Sequence, residues 1–402
     1  MDTALEGIYL QDTGIVRVSG ADAVKFLQGQ LSNDIAKLSA QQSLPAGYHN
    51  PQGRTIAVLR LVQWNADDIL ILLPRELAGV VAARLAKYVL RAKAKVADES
   101  AAWRVVGLID AGPADGADSA TDLPVTLGTQ GRGGDTLFVR VGDRPPRWLA
   151  ISPAGAPSSL LDYTPVDHAT WQRLEVAAGQ PHVYAATSEE FVAQMLNLDS
   201  VGGIAFDKGC YTGQEVIARA HYRGRVKRRM QRFVSRAPCQ LSPGDSGQLA
   251  DGRTFKVVLS APLADGRCDF LAVTSMAGTD AATEAAVGTT GAGAGAGARG
   301  TGGAAASAGA VSEAGASPVA TAGVTTQAVH PLAAPVTDPT APPVAGPIID
   351  PTLAPVAAAS VAPTVAAAAA LTAAAPPVNV APAAPVVVVD ATQVNLPYPL
   401  PE

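Results

Sequence analysis

"DKGCYTGQEVIARAHYRG", Asp207 to Gly224, is the stretch on which the reading of this chain turns. It places Cys210 between Gly209 and Gly213, with Lys208 two residues before it and the pair Gln214-Glu215 after it. A thiol reacts as its thiolate, and positive neighbours favour that form. Arg219, Arg223, Arg225, Lys227, Arg228, Arg229 and Arg232 follow, and no Asp or Glu occurs between Val216 and Gly244. Glycines on either side permit unusual dihedrals or the close approach of a ligand. Glu215, Arg219 and Arg223 recur every fourth residue, the spacing of one helical face. On these residues alone Cys210 is a nucleophile, a metal ligand or a small residue that fits a turn. No base adjoins it in sequence to make a Cys-His pair.

The surrounding 402 residues carry a net charge of −5, so a polyanion site has to be local. The three cysteines, Cys210, Cys239 and Cys268, are far apart and form no CxxC. That pattern gives neither a zinc site nor a disulfide framework and predicts a reducing compartment. The N-terminus has early acids and no apolar core of a secretory signal, so the expected location is cytoplasmic.

Composition divides the chain. From Ala277 to Ala384 it is almost wholly Ala, Gly, Pro, Thr, Ser and Val, without Phe, Tyr, Trp, Lys or Cys. Such a stretch cannot bury enough surface to offset its ordering entropy and is expected to be a disordered insertion, the first place a protease cuts. Its alanine-rich part is interrupted by prolines and is weakly apolar, so no membrane span is expected. The closing "PVVVVDATQVNLPYPLPE" has a β-branched run and predicts a last strand rejoining the C-terminal domain.

The ordered remainder mixes strands and helices without a βαβ beat, which predicts an α+β protein and excludes Rossmann and P-loop folds. A strand is expected over 7–18. A helix is expected over 20–38, with Val24, Leu27, Leu31 and Ile35 on one face and Gln28-Gly29-Gln30 as either a pocket lining or a packing contact. Pro74 opens a helix expected to reach residue 90, and "TWQRLEVAAGQP" reads as a helix closing at Gly179. Short strands and glycine turns after Arg229 predict a small all-β domain. The expected domains are 1–228, in two α+β subdomains linked near 111–123, a β-barrel over 229–276, the insertion 277–384, and a final strand within 385–402.

"KGCYTGQE" with the arginines after it resembles the signature of the YgfZ family, folate-binding aminomethyltransferase-like proteins related to the glycine-cleavage T-protein. "GADAVKFLQGQLSND", "NPQGR", "LAKYVLRAKAKV", "NLDSVGGIAFDKGC" and "LPYPLP" are similar to family segments in the same order. The resemblance covers about 1–276 and the last dozen or so residues. It implies two aminomethyltransferase-like α+β domains and a small β-barrel around a central opening for tetrahydrofolate or a derivative. It also implies support of iron–sulfur cluster assembly or repair and, through cluster-dependent enzymes, of tRNA modification. Cys210 and Lys208 then map to the functional cysteine and lysine. Trp171, Tyr211, Gln214, Arg219 and Arg223 are the expected cofactor-binding residues, the arginines pairing with folate carboxylates. One cysteine is too few for a resident cluster, and no metal is expected. The expected partners are folate, iron–sulfur enzymes and cluster-assembly proteins, for a monomer.

Two rivals stand beside this. A true aminomethyltransferase would carry carboxylates after the "NPQGR" turn, where this chain has Ala57 and Val58. Its pterin-holding glutamate, aligned on Gly179, falls on Ala177, with Glu175 expected to point elsewhere. A tRNA-binding module would use the basic run over 219–232, but that run shows no aromatic interleaving for base stacking. Folate is therefore preferred to direct RNA contact.

Overall fold

The computed structural model describes residues 5–110, 112, 123–156, 163–224, 226–276 and 387–401. The expected insertion and most of the expected interdomain link lie outside them. The chain opens with β1 (Leu5–Tyr9), β2 (Thr13–Ser19), α1 (Ala23–Gln28), β3 (Leu44–His49), β4 (Thr55–Asn65), β5 (Asp68–Pro74) and α2 (Arg75–Ala86). β6 (Lys95–Asp98), β7 (Trp103–Asp110), β8 (Gln130–Gly133), β9 (Thr136–Asp143), β10 (Pro146–Pro153) and β11 (Thr164–Pro165) follow. Then come α3 (His168–Ala177), α4 (Gln214–Tyr222), β12 (Arg228–Ser235), β13 (Ser246–Leu249), β14 (Thr254–Pro262), β15 (Cys268–Ser275), β16 (Val387–Val389) and β17 (Ala391–Val394).

The strands form three sheets, ordered β3-β4-β5-β2-β6, β11-β1-β7-β10-β9-β8 and β16-β13-β14-β15-β12-β17. Pairing is antiparallel except between β1 and β11 and between β13 and β16. The single strand expected over 7–18 is two strands. A turn at Gln11-Asp12 divides it, and the halves enter different sheets, Gly7 opposite Leu108 and Val16 opposite Ile71. The last sheet is a half-barrel. The returning C-terminal run supplies both of its edges, Gln248 facing Val388 and Phe233 facing Gln393.

α2 keeps its predicted buried stripe, Leu77, Val81 and Leu85. It stops at Ala86 rather than 90, where the chain turns and Leu90 takes a φ of 42°. The helix expected over 20–38 breaks after Gln28. Leu27, Leu31 and Ile35 are all fully buried, as their spacing requires, but a turn separates them. The Gln28 side chain bridges that turn. Its Oε1 accepts from the Ile35 amide at 2.7 Å and its Nε2 donates to Asp34 at 3.0 Å. Gln28 therefore closes a turn instead of lining a pocket. A side chain at Gly29 would meet only the Phe26 carbonyl at 3.7 Å, so no close packing demands that glycine.

Candidate functional site

A cavity of about 110 Å³ opens between the β4–β5 region of one sheet and the β9–β10 region of another, closed by α3. That is several times the ~10–15 Å³ one water needs on the same measure. Asp167 caps α3, its carboxylate accepting from the Thr170 amide at 2.6 Å. Trp171 and Glu175, four residues apart, share the helix face that lines the cavity. Glu175 thus points into the cavity, against the expectation drawn from the alignment at Gly179. Trp171 is 2% exposed and lies flat on β7 because Gly107 has no side chain there; a Cβ would sit 2.7 Å from the indole. Arg147 stands 5.3 Å from the indole centroid, in space left by Gly142.

Sequence reasoning missed the charged members of this wall. The His182 Nε2 lies 3.4 Å from Glu175, and the imidazole stacks on Tyr184. Burial alone would push Glu175 up; the charges of His182 and Arg147 and a hydrogen bond from Trp171 outweigh it and hold the carboxyl below its usual pKa. Burial likewise opposes the His182 imidazolium, but Glu175 raises it above the ordinary histidine value. Burial lowers Arg147, and it lowers Arg60, on β4, to about 10. The Arg147 Nε is buried without a hydrogen-bond partner, whereas the His182 Nε2 is engaged by the Glu175 carboxylate. A flat aromatic wall, the Asp12 and Glu175 carboxylates, the buried arginines and an unmet Arg147 N–H suit a planar ligand that carries both polar edges and negative charge. The available signals were the i, i+4 spacing of Trp171 and Glu175 and two arginines inside the apolar runs "AVLRLV" and "PRWLAIS".

Of the sequence-predicted residues, only Trp171 lines this cavity. Cys210 is exposed and unpaired by any disulfide. Lys208 donates from its single Nζ to the Gln28, Leu31 and Asn33 carbonyls, each at 2.7 Å. These are the carbonyls that the broken helix leaves without amides, so the lysine closes that break. Burial lowers its pKa to about 8, which still leaves the ammonium in the majority at neutral pH. Its Nζ also lies 5.1 Å from the ring of Tyr211, a buried tyrosine pushed up to about 12 by desolvation. Gln214, half-buried, is the first residue of α4, after Gly213 with a φ of 82°. A Cβ on Gly213 would lie 2.5 Å from the Asn50 carbonyl, and one on Gly53 2.8 Å from Val216. The two glycines let the "NPQGR" turn seat against α4.

Arg219 and Arg223 line a shallow surface cleft with Glu215, Ala218 and Tyr222. The rest of the basic run does not form one surface. Arg229 is buried in a two-pronged pair with Asp199 at 3.0 and 2.8 Å, and Arg232 pairs with Asp269 at 3.0 and 2.6 Å. Their partners are distant in sequence, so the acid-free stretch overstates the free positive charge. The absence of interleaved aromatics is also corrected. His221 stacks on Phe206 at 3.8 Å, and Tyr222 stands edge-on to His221 at 4.8 Å.

The described residues hold no helix long and apolar enough to cross a membrane. No family model matches the chain. It is 31% identical over 269 residues to the tRNA-modifying protein YgfZ of Sodalis glossinidius, covering 64% of this chain and 81% of that relative. The same-named protein of Edwardsiella ictaluri is 33% identical over 288 residues, covering 66% and 83%. Among solved structures, glycine cleavage system aminomethyltransferase T from Bartonella henselae is similar at 16% identity and a TM-score of 0.49, over 68% of this chain and 79% of that one.

Proposed function

The chain belongs to the YgfZ family, and on that premise we propose that it is a folate-binding protein that supports tRNA modification through the assembly or repair of iron–sulfur enzymes. The observation that carries the folate reading is the Trp171 cavity, with the unmet buried Nε of Arg147 in its wall. Trp171 offers its face to a pterin ring. Glu175 accepts from the ring's N–H edge, and Arg60 and Arg147 supply positive charge for the ligand's carbonyl or carboxylate groups. A bound reduced folate would bring one-carbon carrying capacity. Tyr211, Gln214, Arg219 and Arg223 do not line this cavity and are not assigned to the folate.

Cys210 is the reactive thiol in this reading, presented to solvent between two glycines. Lys208 acts as a positioning residue, tying the cysteine-bearing loop to the α1 turn. Two assays test the reading. Cys210→Ala should lower the activity of cluster-dependent enzymes in cells while the protein still folds; undiminished activity would remove the thiol from the mechanism. The purified protein given aminomethylated H-protein and tetrahydrofolate should release no ammonia, because Ala57 and Val58 stand where the resemblance puts an aminomethyltransferase's carboxylates. Sustained ammonia release would favour the aminomethyltransferase reading instead.

A further inference from the structure

The cleft on α4 has no role in the folate reading. Glu215, Arg219 and Tyr222 fall at i, i+4 and i+7 on one face of the helix, Arg223 caps its C-terminus beside them, and Ile217 points into the core. Among the described residues Arg219 and Arg223 have neither an ion pair nor a side-chain hydrogen bond, in contrast to Arg229 and Arg232. Between them Tyr222 is 68% exposed. A single exposed tyrosine needs no explanation, but this one is braced. Phe206 and His221 stack at 3.8 Å with planes 16° apart, and Tyr222 meets both at steep angles, 71° and 80°. The face therefore presents a supported aromatic ring flanked by two unpaired guanidiniums on a chain of net charge −5.

We propose that this α4 face binds single-stranded RNA, a loop base stacking on Tyr222 while Arg219 and Arg223 hold the flanking phosphates. Bidentate guanidiniums suit phosphate oxygens, and aromatic side chains take unstacked bases in RNA loops. An acidic protein segment would use the arginines but gain little from the braced ring. Folate carboxylates would need the arginines near the cavity, whose wall includes neither. The inference is independent of the folate reading.

The test is fluorescence anisotropy of the full chain with a labelled RNA hairpin carrying an unpaired loop and with a blunt duplex of equal length, each across a salt series. The hairpin should bind more tightly than the duplex. Arg219→Gln with Arg223→Gln should weaken binding and flatten the plot of log affinity against log salt by about 1.4, the contribution of two single-strand phosphates. Tyr222→Ala should lose about tenfold and Tyr222→Phe should keep most of the affinity, as stacking requires. An unchanged melting midpoint shows that each variant is folded. The proposal is overturned if wild type does not bind the hairpin, binds the duplex equally, or is indifferent to Tyr222→Ala. It is also overturned if the double arginine variant binds RNA normally but loses a tetrahydrofolate polyglutamate.

Discussion

Lys208 shows how a residue in a reactive-looking motif can be occupied elsewhere. Its three N–H groups meet three carbonyls at 2.7 Å, which leaves no hydrogen for a substrate. Lys208→Met should therefore cost about 2–4 kcal/mol of folding stability, the price of stranding partly buried carbonyls, readable by urea denaturation. Lys208→Arg should not rescue it, because a planar fork cannot serve three converging acceptors. Full stability in Lys208→Met would free the lysine for chemistry. In the cavity, Glu175 and His182 shift each other in opposite directions. The raised histidine contributes stability that is complete below about pH 6.5 and is lost as pH rises through its folded pKa. The depressed carboxyl contributes above about pH 4.3 and is lost as pH falls through its own. The pair thus stabilises most between about pH 4.3 and 6.5. Glu175→Gln should remove the rise, leaving burial to lower His182 below the ordinary value, visible in an NMR titration of the imidazole. An unmoved His182 titration would contradict the pairing.

At the scale of elements, local periodicity was legible wherever the partners of a helix were its own turns. α2 and α3 lie close to where their apolar spacing puts them, and Pro74 and Gly179 mark their ends. The helix expected over 20–38 failed for a reason no local pattern carries. The group that satisfies its broken end comes from Lys208, 180 residues beyond Gln28. The same limit hid the charge pattern: Arg229 and Arg232 read as surface cations until Asp199 and Asp269 are placed beside them. Glu175 was hidden by an alignment choice, although helical spacing from Trp171 already put it on the same face. α4 depends on the joint between Gly213 and Gly53. Gly213→Ala forces a side chain into a positive φ and to within 2.5 Å of the Asn50 carbonyl. Roughly 2 kcal/mol or more should be lost, with hydrogen exchange faster in α4 than in the sheets. Equal protection of α4 in the variant would mean that the joint is slack.

Across the whole molecule, the α+β class and the C-terminal β unit followed from composition and turn spacing, whereas the division of 7–18 between two sheets and the cavity between them arose only in three dimensions. The chain's last described residues bind distant parts together. The Tyr398 hydroxyl donates to the Gly179 carbonyl at 2.7 Å, and β16 and β17 edge the third sheet. Removing 387–402 should expose the core around Phe233 and Phe270, lower the melting midpoint and promote aggregation. Tyr398→Phe alone should cost about 1 kcal/mol. A truncated chain as stable as the full one would contradict this role. The central claim is that the Trp171 cavity holds folate, and calorimetric titration with tetrahydrofolate tests it most directly. Wild type should bind in a one-to-one ratio, and Trp171→Ala and Glu175→Gln should each weaken binding by about 10- to 100-fold while Cys210→Ala leaves it intact. No heat of binding in wild type, or equal binding by Trp171→Ala and Glu175→Gln, would contradict the account.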